Sequence, residues 1–352
     1  MIPTVNPEMI QLARESRGLN RTELAERIGV TQPYISQLET SQRAPSPEVM
    51  QAVCAALNYP LDFFTQRDDV VGLGLSVFFY RKKASASVTE IRRLEAEVNT
   101  RRLQFKRLLD EVNLSTPNHI EFLDIDEHAG DAERIASLVR ASWQMPVGPV
   151  RNLIRAIEQA GGVVFTFPFG TSDIDAVSQW PMGLPPLFFV NSTAPADRVR
   201  FSLAHELGHV VMHQAASETM ENEANRFAAE FLMPAKDIAP ELCELTLAKA
   251  ASMKPHWRVS MAALVRRARD VGRIPATEYT RLMRRLSTTG QRKRECVEIT
   301  GEEPVLLKQI IDELSRSCGY EEGDFARIMR VHANDFVARF QPNKLRLRFV
   351  EN

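Results

Sequence analysis

The chain has 352 residues, 44% of them hydrophobic and 25% charged, with a formal net charge of −1. That length allows two or three domains with a sizeable core, and the near-zero charge excludes a global pull toward nucleic acid or membrane. No stretch is apolar enough to span a bilayer, no basic segment followed by an apolar run opens the chain, and Cys54, Cys243, Cys296 and Cys318 are scattered, so reduced thiols and a cytoplasmic location are expected.

Residues 1–67 read as short helices joined by tight turns. A first amphipathic helix spans 7–17 and Gly18 follows it. Asn20 is placed to cap a second, with Leu24, Ala25 and Ile28 apolar, and Gly29 gives the turn. Thr31 is placed to cap a third, 32–39, with Ile35 and Leu38 facing in. A fourth spans 47–57, and Leu61, Phe63 and Phe64 close the core. Helix, Gly-containing turn, helix is the helix-turn-helix order. The run NRTELAERIGVTQPYISQLETSQRAPS resembles the Cro/CI-like (XRE) helix-turn-helix family. The resemblance makes 32–39 the recognition helix, with Gln32, Pro33, Tyr34, Ser36 and Gln37 outward and Arg21 and Arg43 as phosphate candidates. Residues 1–66 carry five arginines, no lysine and seven acids, so the module lacks the usual basic footprint.

Residues 68–127 read as a linker. An apolar, strand-like run from Leu75 to Tyr80 leads to Arg81-Lys82-Lys83, a solvated strand end. One long amphipathic helix over 87–113 follows, expected to pack on the downstream domain or on a second subunit. Further on, the pattern gives a helix at 131–142 and another from Pro149 to Gly161-Gly162. Val163 to Phe167 and Leu187 to Asn191 are strands. The second of these lies just before a chemistry-bearing helix and by analogy offers an edge to a peptide. Asp173, Asp175, Ser178 and Trp180 fall in what reads as a surface loop between them.

His205-Glu-Leu-Gly-His209 puts two imidazoles one helical turn apart on one face, a pair suited to Zn²⁺. Glu206, at the edge of that face, is placed for base chemistry without being a ligand. Gly208 lets another backbone or a substrate approach closely. A catalytic site of this type needs a third protein ligand. The amphipathic helix running up to Pro234 offers Glu218, Glu221 and Glu223; periodicity favours Glu221, with Asn225 one turn on as a partner. His213 lies four residues past His209 and reads as closing a hydrogen-bond network rather than as a ligand.

HELGH followed by ENEANRFAAEFLMP resembles the ImmA/IrrE family of bacterial metallopeptidases, over roughly residues 128–295. The resemblance implies His205, His209 and Glu221 as zinc ligands and Glu206 as general base. Beyond it, Ser260 caps a helix ended by Gly272, 276–287 form another, and 304–340 make a last helical unit. From Arg258 to Glu295 eleven basic residues face three acids, a surface for nucleic acid or for an acidic partner.

The expected fold is mostly α with a small β-sheet (α+β). It comprises a helix-turn-helix domain (1–67), a linker strand and long helix (68–127), a zincin-like peptidase domain (128–240) and a helical, helix-turn-helix-like C-terminal region (241–352). The resemblances imply a DNA-binding regulator with zinc-dependent endopeptidase activity, acting on a repressor-like protein in response to stress or a mobile-element signal. Its expected partners are double-stranded DNA, notably its own operon promoter, the protein substrate, and a second copy in a homodimer. The alternative is a transcription factor whose metal site is a sensor or remnant without proteolytic activity.

Overall fold

The computed structural model describes residues 4–72, 87–292 and 295–340. The strand expected at Leu75 to Tyr80, the Arg81-Lys82-Lys83 triplet, Lys293 and Arg294 lie outside them. In chain order the elements begin with helices α1 (Pro7–Ser16), α2 (Arg21–Ile28), α3 (Gln32–Glu39), α4 (Pro47–Leu57), α5 (Leu61–Phe64) and α6 (Val88–Leu109). Next come α7 (Ala132–Ser142), α8 (Leu153–Gln159), strands β1 (Val163–Phe167), β2 (Ala176–Gln179) and β3 (Leu187–Asn191), then α9 (Ala196–Met212) and α10 (Met220–Leu232). The chain continues through α11 (Ala235–Ile238), α12 (Leu247–Trp257), α13 (Met261–Asp270), α14 (Ala276–Thr288), α15 (Leu306–Cys318), α16 (Glu322–Ile328) and α17 (Ala333–Phe340). The fold is mostly α with one small sheet, as the sequence implies. Packing groups the chain into two units.

The first unit contains residues 4–72, 87–114 and 307–340. Its helices start where side chains satisfy their first orphan N–H groups. Asn20 accepts from Glu23 N while the Glu23 carboxylate accepts from Asn20 N, a complete capping box, and Gly29 ends α2 at φ 69°. Met9, Leu24, Ile35, Leu38, Val53, Phe63 and Phe64 form the buried core. Leu61 does not join it: it is exposed together with Asp62, and the single turn of α5 faces only Phe63 and Phe64 inward. Beneath this core, Glu39 accepts from Arg14 Nε (2.6 Å) and Arg21 Nε (2.6 Å), which ties α1, α2 and α3 together through one buried carboxylate.

The long helix α6 starts in a second capping box, Ser87 with Glu90, and ends at Leu109. Its partner is α1, where Ala96 and Leu103 enter the helix-turn-helix core. It thus belongs to the first unit, and α16 packs on it as well.

The second unit runs from 115 to 306. Its sheet has the order β1-β3-β2, with β1 parallel and β2 antiparallel to β3. β1 and β3 match the strands expected from their β-branched and aromatic residues. β2 replaces the expected surface loop. The helix expected from Pro149 starts only at Leu153, because Asn152 accepts from Arg155 N and so fixes the first turn there.

α9 packs on β2 and β3, and α10 packs on α9 and α7. Two buried guanidiniums secure the end of α10: Arg140 donates to Phe231 O (2.7 Å) and Arg267 to Met233 O (2.9 Å). Those carbonyls lack helical partners, so the arginines satisfy what the helix end leaves open. Arg267, which also pairs with Glu230, and Arg258, which donates to Thr300 O, are thereby withdrawn from the basic surface inferred over 258–294. Among the described residues no helix is long and apolar enough to cross a membrane.

Candidate metal centre

The centre is built where α9 and α10 cross, and a glycine sets how closely they approach. A Cβ on Gly208 would lie 3.0 Å from Phe227 Cδ1 and 3.3 Å from Ala224 Cα. The close approach anticipated at Gly208 is thus that of the α10 backbone. It brings Glu221, one turn before Ala224, beside the histidines of α9.

His205 Nε2 and His209 Nε2 are 2.9 Å apart. Glu221 Oε1 is 3.2 Å from His209 Nε2, and Glu221 Oε2 is 3.8 Å from His205 Nε2. Four-coordinate zinc, with bonds of about 2.0–2.2 Å, holds its ligand atoms roughly 3.3 Å from one another. The three separations bracket that value. Glu221 Oε1 is buried and accepts no hydrogen bond among the described residues, so its lone pairs face the gap between the rings. Burial pushes the His209 imidazolium down to about 4, with the nearby Glu221 opposing only in part, so the ring is neutral at neutral pH. Burial alone would raise the Glu221 carboxyl; the His205 and His209 rings outweigh it and hold the group well below the usual carboxylate range. Two imidazoles, one of them held neutral, and a carboxylate form a donor set that fits a divalent cation.

The two other candidate carboxylates of that stretch do not reach the gap. Glu218 precedes α10, and Glu223 Oε2 is 3.0 Å from His213 Nε2. His213 itself has left the helix: it is the residue after α9, at φ −123°, and its Nδ1 lies 3.0 Å from His209 Nδ1. It closes a network, as its spacing suggested, but from outside the helix face. Asn225 Nδ2 donates to the Glu221 backbone carbonyl (2.6 Å), not to its carboxylate as anticipated, because one helical turn brings it over the main chain.

Glu206 is almost fully buried, and Ser178 Oγ on β2 donates to Glu206 Oε2 at 2.6 Å. Ser178 was missed as part of the centre. All four residues of β2 are buried, so the strand shows none of the in–out alternation by which a sequence reveals a sheet. Asp175 is paired with Arg198 (2.9 Å), and Trp180, just past β2, is half-exposed. The expectation that the strand before the histidine-bearing helix offers its edge is corrected: β3 is hydrogen-bonded on both sides, and among the described residues β2 pairs with β3 alone and packs beside α9.

In the first unit, the outward residues assigned to α3 are on its surface: Gln32 and Pro33 are exposed and Tyr34, Ser36 and Gln37 half-buried. Arg43 stacks its guanidinium 4.5 Å from the Tyr34 ring centre, so these two candidates form one aromatic–cationic patch. Arg21 spends its Nε on Glu39.

The family comparisons agree with this division. Residues 157–269 match the IrrE N-terminal-like domain family, a peptidase family, and residues 10–64 match the Helix-turn-helix family. The chain thus carries an ImmA/IrrE-type peptidase domain and an N-terminal XRE-type helix-turn-helix domain. No curated protein matches the chain.

Proposed function

We propose that this chain is a DNA-binding regulator whose second unit is a zinc-dependent endopeptidase, with His205, His209 and Glu221 as metal ligands and Glu206 as general base. The observation that carries the reading is the convergence of those three donors beside a buried Glu206 held by Ser178. Zinc held by His205, His209 and Glu221 would supply Lewis acidity to the reacting groups. Glu206 takes the proton of the attacking water and passes it to the departing amide nitrogen. Ser178 keeps one carboxylate oxygen engaged and so orients the other. An extended peptide binds alongside β2, next to the helix that carries the histidines.

The first unit brings the chain to double-stranded DNA through α3, with Gln32 and Gln37 reading base edges and Arg21 and Arg43 on phosphates. The substrate is a repressor-like regulatory protein and the DNA site lies in the chain's own operon; both rest on the family resemblance. Cleavage of such a protein by the wild type and by Glu206→Gln, each with its zinc content measured, tests the reading. Loss of cleavage with zinc retained is expected. Equal cleavage by both removes the peptidase assignment and leaves a transcription factor with a sensor site.

A further inference from the structure

The ligand face of the centre is accounted for by His205, His209 and Glu221, but a second buried line of polar groups runs behind it. His209 Nδ1, His213 Nδ1, His213 Nε2 and Glu223 Oε2 follow one another with gaps of 3.0 Å and 3.0 Å. The side chains of His209 and His213 are each 3% exposed and that of Glu223 is 12% exposed. The line joins the end of α9 to the first turn of α10, the two helices that carry the ligands.

The protons on this line can be arranged in only one satisfactory way. For His209 to present a lone pair at Nε2, its proton must sit on Nδ1. His213 Nδ1 then accepts, so the His213 proton sits on Nε2 and is donated to Glu223. The opposite order would face a His213 Nε2 lone pair against a carboxylate and put a proton on His209 Nε2, where the metal belongs. The negative charge of Glu223 therefore selects the tautomer of His209, across fourteen residues of sequence and one intervening ring.

We propose that His213 and Glu223 are a positioning pair for His209, fixing its tautomer and ring orientation and thereby setting the affinity of the centre for zinc. The proposal rests on the metal-site reading above. It also gives Glu223 a role distinct from that of a third ligand. Carboxylate and imidazole partners of this kind alter metal affinity by about 10–100-fold when removed.

The test is competition for Zn²⁺ against a chromophoric chelator, using the full chain and the variants His213→Ala, His213→Asn, Glu223→Gln and His213→Ala/Glu223→Gln. The Asn side chain can place an oxygen near the former Nδ1 and still accept from His209. Expected are affinities about 10–100-fold weaker for His213→Ala and Glu223→Gln, partial recovery in His213→Asn, and a double variant no weaker than the worse single one, since both cut one line. The metal-free variants should keep wild-type helicity and melt within a few degrees of wild type. Glu223→Gln conserves shape, so it decides the matter even if His213→Ala folds poorly. A wild type that takes up one Zn²⁺ while Glu223→Gln binds it equally well overturns the pair and leaves the site reading standing. A wild type that takes up no zinc overturns both.

Discussion

Ser178 and Glu206 are 28 residues apart in sequence and share a 2.6 Å hydrogen bond in a buried setting. A hydroxyl on β2 thereby holds the carboxylate proposed as general base. Leaving a buried charged acceptor without its donor costs about 1.5–3 kcal/mol. Ser178→Ala is therefore expected to slow peptide cleavage roughly tenfold to a hundredfold, because the carboxylate loses its fixed orientation. Zinc content should stay at the wild-type level, since Ser178 touches no proposed ligand. Metal analysis beside single-turnover cleavage separates the two effects; loss of zinc in this variant would mean that β2 supports the ligands rather than the base.

Gly208 controls a distance rather than a turn. Gly208→Ala gains helix propensity worth about 1 kcal/mol, yet its Cβ must displace Phe227 or the backbone at Ala224 by a few tenths of an ångström. These contributions oppose each other in stability but not in ligand placement. The expected outcome is a melting temperature close to wild type with zinc affinity reduced about tenfold, since α10 carries Glu221 with it and catalytic-type ligand geometry tolerates little displacement. Wild-type affinity in a stable Gly208→Ala protein would show that α10 can shift without moving Glu221.

The stability of the metal-free protein should fall as pH falls. His209 has a folded value of about 4 against an ordinary value of 6.5. Between these, the unfolded chain binds a proton that the folded one does not, so stability present near pH 7 is lost on the way down to about pH 4. The loss from this residue is roughly 3 kcal/mol. Glu221, whose carboxyl is held low in the fold, acts in the same direction: its contribution is present above the ordinary carboxylate value and lost below it. Melting of chelator-treated protein between pH 7.5 and 4.5 reads this directly. A midpoint independent of pH in that range would contradict a buried, neutral His209.

How legible was this molecule in its sequence? Local rules carried far. Asn20 with Glu23 marked a helix start, the glycine at 29 marked an end, and Val163 to Phe167 and Leu187 to Asn191 carried enough β-branched and aromatic residues to be read as strands. The four-residue spacing of His205 and His209 fixed their shared face before any fold was known. What failed depended on partners distant in the chain. The residues of β2 are a strand because β3 offers an edge, not because of their own pattern. The docking of α6 on α1 is a choice among apolar faces that periodicity describes but does not pair. α12 contains Pro255 in its last turn and few apolar repeats, so it had no clear signature. The choice of Glu221 over Glu223 was only leaned on by periodicity; it becomes geometric once His213 turns out of the helix and engages Glu223.

Glu39 is a buried carboxylate serving two arginines, and Arg14 additionally donates to Leu19 O (2.7 Å). Removing the charge strands Arg14 in the core, which for buried pairs costs about 3–5 kcal/mol. Glu39→Gln keeps the shape and should lie at the lower end, near 3 kcal/mol. The tryptophans Trp143, Trp180 and Trp257 all belong to the second unit, so their fluorescence reports on that unit alone. In urea, the variant's far-ultraviolet circular dichroism should therefore lose part of its signal early while the tryptophan transition stays in place. Coincident shifts in both signals would show that the two units unfold as one.

The last expectation concerns DNA. The helix-turn-helix domain has seven acids against five arginines over residues 1–66, and one of those arginines, Arg14, is buried against Glu39. Few phosphate contacts are then available, so the dependence of binding on salt should be shallow for a protein of this class. Sequence preference must come mostly from the polar face of α3. Gln32 is exposed at the first turn and Gln37 is half-buried on the same helix, each able to pair with adenine through two hydrogen bonds worth about 1–3 kcal/mol of discrimination. Replacing both by alanine should abolish preference for the operator over unrelated DNA while weakening non-specific binding little. Arg43→Ala should act differently: it removes the proposed phosphate contact and the cation stacked on Tyr34, so affinity falls on every sequence and the salt slope decreases by about one. Gel-shift titrations of operator and scrambled duplexes at several salt concentrations distinguish these outcomes. A double glutamine variant that keeps its operator preference would remove α3 as the reading helix and direct attention to the basic face of α13 and α14.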